Sequence, residues 1–291
     1  MNIQTIDAAR RGATAALLLI GLTGCATPYG SSGPAVLSLE RIAGIVSAPD
    51  RSAADRVNDK RRKPEQMLAF IGIRPGMAAL DISAGGGYTT ELLARAIGPG
   101  GIVYGQSPPR NSAGPTPAAP EGNSSPAPAS TAAPAPSPRR TSPEALAERD
   151  KRLKAGGGAA PVIAVVQSFE DPVPPERKSQ GLDLVTLMFN YHDLGFMGVD
   201  RSQMNRAVFA ALRSGASYVI ADHAGRAGTG ISESGTLHRI EEAFLVKEVE
   251  AAGFKLAAEA TFLRNPADPR DRNTPEPAQA KDEFVLKFVR P

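Results

Sequence analysis

Residues 79–94, Ala-Leu-Asp-Ile-Ser-Ala-Gly-Gly-Gly-Tyr-Thr-Thr-Glu-Leu-Leu-Ala, constrain the fold more than any other stretch of the chain. They open as an apolar strand, pass through Asp81 and the run Gly85-Gly86-Gly87, and leave with leucines and alanines at helical spacing. That is the order of a strand-turn-helix unit in an α/β sheet. Glycines at such a turn let the backbone approach a ligand where a Cβ would collide, and the helix start beyond them offers N–H groups with no intrahelical partner. The stretch reads as a nucleotide-type cofactor loop, with a tight ligand-free connection as the plain alternative.

The rest of the chain continues the alternation. Helical patterns at 37–45 and from Ser52 to residue 70, the second interrupted by Pro64, precede the turn into the first strand. The helix after the glycines stops at Gly98-Pro99-Gly100-Gly101, and strands follow at 102–106, 162–167, 182–190 and 218–223. The run 182–190 is almost continuously apolar, as expected of a strand covered on both faces. Helices are expected at 144–154, 201–212 and 236–252, a glycine-rich loop at 225–235, and two last strands at 254–263 and 284–289.

Composition limits the alternatives. Tryptophan is absent and aromatic residues make up only 5%, so the core must be aliphatic. The formal charge of +3 is not gathered into a basic stripe interleaved with aromatics, which argues against nucleic acid as a partner. The densest basic run, Lys60-Arg61-Arg62-Lys63, reads as a solvated helix end. One cysteine excludes an intrachain disulfide and a cysteine-based zinc site.

The N-terminal segment, residues 1–24, reads as an export signal: Arg10 and Arg11 precede an apolar core at 13–22 that is too short to span a bilayer. It ends in Leu22-Thr23-Gly24-Cys25, which resembles the lipobox of bacterial lipoproteins. That resemblance implies a membrane anchor through lipidated Cys25, and Ala26 after it implies the outer membrane, facing the periplasm. Residues 25–50 read as a tether and short helix, and residues 51–291 as the folded domain. The domain is interrupted at 108–143 by a segment of Pro, Ala, Ser, Thr and Gly that carries nearly half of the 26 prolines and reads as a disordered insertion.

Two of the three histidines, His192 and His223, fall at the C-terminal ends of successive expected strands, and His238 opens the helix expected after the second. Ligands of open parallel sheets bind at that edge. With Asp193, Asp222 and Glu241 these histidines can converge on one mouth, or else cap helices and bond loop backbone.

An acid followed by glycines at alternate positions resembles motif I of the class I S-adenosylmethionine-dependent methyltransferases, D/E-x-G-x-G-x-G, whose places are filled here by Asp81, Ser83, Gly85 and Gly87. Asn190-Tyr191-His192-Asp193-Leu194, Ala221-Asp222-His223, 237–241 and 262–266 resemble a group of bacterial predicted methyltransferases. The resemblance implies a doubly wound, mostly parallel seven-stranded α/β sheet (the Rossmann-like methyltransferase fold) with a C-terminal antiparallel hairpin. It implies S-adenosylmethionine as cofactor, held by those four residues, but no known substrate; the acceptor is expected to be a small molecule or a component of the envelope. Gln106 stands where the family has an acid for the ribose hydroxyls.

Methyl transfer from a sulfonium is an in-line displacement, so the protein aligns donor and acceptor and removes a proton. Histidine suits the last task. The expected base is His192 oriented by Asp193, with His223 second. A magnesium-assisted variant would use Asp193 and Asp222, but the histidines beside both disfavour an all-oxygen shell. Because S-adenosylmethionine is made inside cells, an inactive binding module or scaffold in the envelope is the alternative function.

Overall fold

A computed structural model describes residues 35–109, 140–273 and 279–291. The expected signal, Cys25 and most of the tether lie outside the described residues, as do residues 110–139 of the expected insertion.

Seven strands form one sheet: β1 (Ala78–Ile82), β2 (Ile102–Ser107), β3 (Val162–Val166), β4 (Leu182–Met188), β5 (Leu212–His223), β6 (Lys255–Ala260) and β7 (Glu283–Val289). Their order is β3-β2-β1-β4-β5-β7-β6. The first five pair in parallel, with Leu80 opposite Tyr104 on one side and Val185 on the other. β7 runs antiparallel to both β5 and β6. The doubly wound sheet with its antiparallel C-terminal pair is the architecture the sequence implied.

Alternate residues of the strands feed two cores. Leu80, Ile82, Val185, Leu187 and Ile220 meet Met204 and Val208 of α8 (Arg201–Ala211) and Leu245 and Val249 of α9 (Glu242–Ala251) on one face. Ala79, Val103, Leu184 and Val219 meet α1 (Leu39–Val46), α3 (Pro64–Ile71) and α4 (Tyr88–Ile97) on the other. Burying each such leucine or isoleucine is worth about 1.5–3 kcal/mol, so both faces of the central strands must be apolar, as the β4 sequence is.

Several boundaries depart from the sequence reading. The helix expected to pass through Pro64 is two helices, α2 (Ala53–Arg62) and α3, hinged at Lys63, whose φ of 43° lets Pro64 start α3. α5 (Ser142–Gly156) begins before Glu144 because Thr141 and Glu144 close a capping box around its first turn. Two short helices, α6 (Pro175–Gln180) and α7 (Asp193–Phe196), went unforeseen.

The helix expected from residue 236 starts only at Glu242. Ile240 is instead drawn into the core beside β5, where its N–H bonds the His223 carbonyl at 3.1 Å and its carbonyl accepts from Gly225 at 2.7 Å. His238 therefore sits in a turn, at φ 51°, not at a helix start. Among the described residues no helix is long and apolar enough to cross a membrane.

Candidate active site

β1 and β4 are neighbours whose onward connections lead to opposite sides of the sheet, to β2 and to β5. Beyond their C-terminal ends lies the switch-point crevice where open α/β sheets hold ligands. The glycine turn enters it from β1. Ser83, Gly85 and Gly87 all have positive φ, at 58°, 53° and 78°. The turn therefore needs left-handed backbone at the three places where the motif has glycine, and Ser83 takes that conformation with a Cβ.

Two residues anchor the turn from beneath. Asp81 is buried and accepts hydrogen bonds from the hydroxyls of Thr90 at 2.6 Å and Thr186 at 2.7 Å. Burial pushes its carboxyl up to about 6, against the opposing pull of the two threonines and of Arg62. Gln106 accepts the Ser83 N–H on its Oε1 at 3.0 Å and donates from Nε2 to the Gln167 carbonyl at 2.7 Å. Its amide, expected to meet ribose hydroxyls, is thus engaged by protein at both ends.

The turn is packed on one side and open on the other. A Cβ at Gly87 would lie 2.7 Å from Leu146 and 2.8 Å from Arg149, both on α5, whereas a Cβ at Gly86 meets nothing within 4 Å. Arg149 donates to the Gly86 carbonyl at 2.5 Å and also bonds Asp55 and Glu91, tying α5, α2 and α4 together. Nothing in the spacing of the sequence announced this arginine.

A narrow recess with a cavity volume of only about 20 Å³ adjoins the turn between Tyr88, Thr89, Met67, Leu92 and Phe189. Arg62 reaches over it, its guanidinium 4.2 Å from the Phe189 ring centroid and 5.8 Å from that of Tyr88. Burial and neighbouring Arg61 lower the Arg62 pKa to about 10. Arg61 pairs with Glu283 at 2.8 Å, and Lys63 donates to the Phe262 carbonyl at 2.6 Å. Of the basic run read as a solvated helix end, Arg61 and Arg62 are therefore turned partly inward, whereas Lys60 and Lys63 are exposed.

The imidazole cluster stands beside this recess. Phe189 packs on His223 with ring centroids 5.7 Å apart, and His223 on His192 at 5.3 Å. His223 is buried, with Nδ1 3.0 Å from Glu283. His192, 1% exposed, is held by Asp222, whose Oδ1 lies 2.6 Å from its Nδ1 and whose Oδ2 accepts its backbone N–H at 2.7 Å. Its Nε2 lies 3.0 Å from Asp193 Oδ1, which is also 3.0 Å from His238 Nδ1. Burial alone would lower the His192 pKa, but Asp222 and Asp193 outweigh it and raise it to about 10. Asp193 feels the opposite balance: burial would raise it, but His192, His238 and Asn190 hold it below the usual carboxylate range.

The structure thus brings His192, Asp193, Asp222, His223 and His238 together as the sequence suggested, with one exchange of partners. Asp222, not Asp193, takes the Nδ1 side of His192. Glu241 stays apart, its carboxylate accepting the N–H groups of Gly228 and Gly230 and pinning the glycine-rich loop. For the magnesium variant, an imidazole lies between the two acids: Asp193 meets one ring nitrogen of His192 and Asp222 the other.

No protein-family model matches the chain, and no curated protein matches it. Solved structures give partial likenesses. An Aquifex aeolicus S-adenosylmethionine-dependent methyltransferase is 16% identical over 87% of this chain and 98% of its own, with a TM-score of 0.48. A TehB-like methyltransferase from Corynebacterium glutamicum is 13% identical over 86% and 94%, at 0.44. Aeropyrum pernix fibrillarin, solved with bound S-adenosylmethionine, is 16% identical over 74% and 67%, at 0.40. Likeness at this level carries no argument about this chain, and the architecture rests on its own strand order.

Proposed function

We propose that the chain is an S-adenosylmethionine-dependent methyltransferase acting on a small-molecule or envelope acceptor. The observation that supports this best is the meeting, at one switch point, of a turn with three left-handed residues and a polar cluster on the next two strands. A glycine turn alone is compatible with any tight connection, and a histidine cluster alone with a packed loop. Their shared edge, joined by Tyr88, Arg62, Phe189 and His223, provides a donor side and an acceptor side.

The residues present fit the cofactor. The open side of Gly86 admits a ligand against the backbone, and no carboxylate bonds the Arg62 guanidinium among the described residues, so it is available to a carboxylate of the ligand. Asp81, Ser83, Gly85 and Gly87 shape that cradle, and Gln106 holds its floor by bonding Ser83. S-adenosylmethionine supplies an activated methyl group on a sulfonium. The protein aligns the acceptor with it and takes the acceptor's proton where needed. Asp193 and His238, 12% and 18% exposed in their side chains, are the members of the cluster an acceptor can reach, with His192 and His223 behind them.

The proposal extends to place: export and lipidation at Cys25 would leave this domain on the outer membrane, and fractionation of cells producing the chain, with Cys25→Ala as control, tests that. The activity is tested by calorimetry with S-adenosylmethionine and its demethylated product. Micromolar binding is expected, and Gly86→Leu should abolish it while leaving the melting temperature within a few degrees, since the site is open and its φ is not positive. No heat at millimolar ligand would turn the reading to a scaffold without this cofactor, and binding unchanged in Gly86→Leu would overturn the placement of the cofactor against this turn.

A further inference from the structure

We propose that His192, Asp193 and His238 form a binding site for a divalent transition ion of the zinc type, with Asp222 as the outer carboxylate that fixes the buried imidazole. The site belongs to this chain's own geometry and stands whether or not the methyltransferase reading holds.

His192 Nε2, Asp193 Oδ1 and His238 Nδ1 all lie within 4.8 Å of one another. The carboxylate oxygen is 3.0 Å from each ring nitrogen. An ion bound tetrahedrally at about 2.0–2.1 Å would space such donors about 3.3 Å apart. The carboxylate oxygen therefore needs to draw off each nitrogen by only a few tenths of an ångström, while the two ring nitrogens, within 4.8 Å of each other, close to the same spacing. His238, on a turn and partly exposed, is the one free to give.

The orientation of the donors is an independent sign. His192 is 1% exposed, and its buried Nε2 has Asp193 Oδ1 at 3.0 Å without being aligned to it as a hydrogen bond. Its other nitrogen is committed to Asp222 at 2.6 Å, which fixes the ring and with it the direction of Nε2, whose proton an incoming ion would displace. Metal-bound histidines are characteristically held by a carboxylate in this way. Asp193 is steadied likewise, its second oxygen accepting from Asn190 Nδ2 at 3.0 Å. His238 is held with its ring edge-on to Phe196 and perpendicular to His192, and the backbone bends to φ 51° to place it there.

The donor set selects the ion. Two imidazoles and one carboxylate suit zinc, ferrous iron, cobalt or nickel, whereas magnesium and calcium ask for oxygen shells. Three protein ligands leave a fourth position. With His192 at the buried wall and Asp193 and His238 nearer the surface, that position faces outward, where a water or an acceptor atom can enter.

The test uses the untagged full chain, treated with a chelator and titrated with Co²⁺ alone, then challenged with Zn²⁺. A visible absorption band of four- or five-coordinate cobalt at one ion per chain, displaced by Zn²⁺, is expected. His238→Ala and Asp193→Asn should each weaken binding at least tenfold, and Asp222→Asn by about 10- to 100-fold. Circular dichroism and melting of each metal-free variant separate lost ligands from lost fold, and partly exposed His238 is the variant least prone to misfold. No cobalt band and no Zn²⁺ binding up to tens of micromolar, or binding unchanged in folded His238→Ala, would overturn the site and leave an ion-pair network only. Because no methyl donor is present, failure here is distinct from failure of the cofactor reading.

Discussion

Asp81 offers a direct measurement of what the glycine turn costs the fold. The carboxyl is buried, with the Thr90 and Thr186 hydroxyls donating to it, yet burial prevails and raises its pKa from 3.8 to about 6. Below pH 3.8 it is protonated in the folded and unfolded chain alike and shifts nothing. Between 3.8 and about 6 the folded chain keeps a proton that the unfolded chain has lost, so stability falls as pH rises. Above that interval the cost is complete, at about 1.36 kcal/mol per pH unit over the gap, or about 3 kcal/mol. Asp81→Asn removes the charge and keeps the shape; one threonine hydroxyl reverses to accept from the new amide, as hydroxyls can. Urea denaturation of both proteins from pH 4 to 8 should show the variant near parity at pH 4 and more stable by up to about 3 kcal/mol at pH 7.5. Asp55, Asp193 and Asp268, all held low, titrate in both proteins and cancel in the difference. A difference that does not change with pH, or that increasingly favours the wild type as pH rises, would refute the reasoning. If the charge is kept for the cofactor, the more stable variant should bind S-adenosylmethionine more weakly, the trade between stability and function that a strained site predicts.

Ser83→Gly should stabilise the protein by about 1 kcal/mol, a rise of about 2–4 °C in a thermal melt, because the left-handed backbone at Ser83 no longer works against a Cβ. A lower melting temperature would mean that the serine side chain contributes something its geometry does not show. Arg149→Met should cost about 3 kcal/mol in urea, because it leaves Asp55 and Glu91, with side chains 6% and 2% exposed, without their shared cation. An effect below about 1 kcal/mol would show that Arg95 and Arg152, which also reach Glu91, and solvent near Asp55 make good the loss.

Much of the architecture was legible because it rests on local, periodic signals. Continuous apolar runs flanked by glycine marked β1, β4 and β5, and their alternation with amphipathic helices fixed a parallel sheet with helices on both faces. What failed locally failed where tertiary contacts override propensity. Residues 236–241 have a helical pattern, yet Ile240 gains more from the core beside β5 than from one more helical turn, and Glu241 from two amide donors of the glycine loop. Likewise Arg61 and Arg62 of the basic run look solvated until β7 supplies Glu283 and the end of β4 delivers Phe189. Neither partner lies within 100 residues of the run, so no window on the sequence could pair them.

The site divides in the same way. That His192, Asp193, Asp222 and His223 share an edge follows from their positions at the ends of β4 and β5, adjacent parallel strands. Which acid serves which nitrogen does not. Asp193, next in sequence to His192, is carried onward by the first turn of α7 and meets Nε2, whereas Asp222, 30 residues away, is set by strand pairing beside Nδ1. Sequence adjacency is thus a poor guide to the orienting partner at a strand end, where the chain turns away from its own side chain and the neighbouring strand does not. The consequence is chemical: an imidazole fixed from β5 at one nitrogen presents the other to whatever α7 and the 236–241 turn bring over it, and in this chain they bring a carboxylate and a second imidazole.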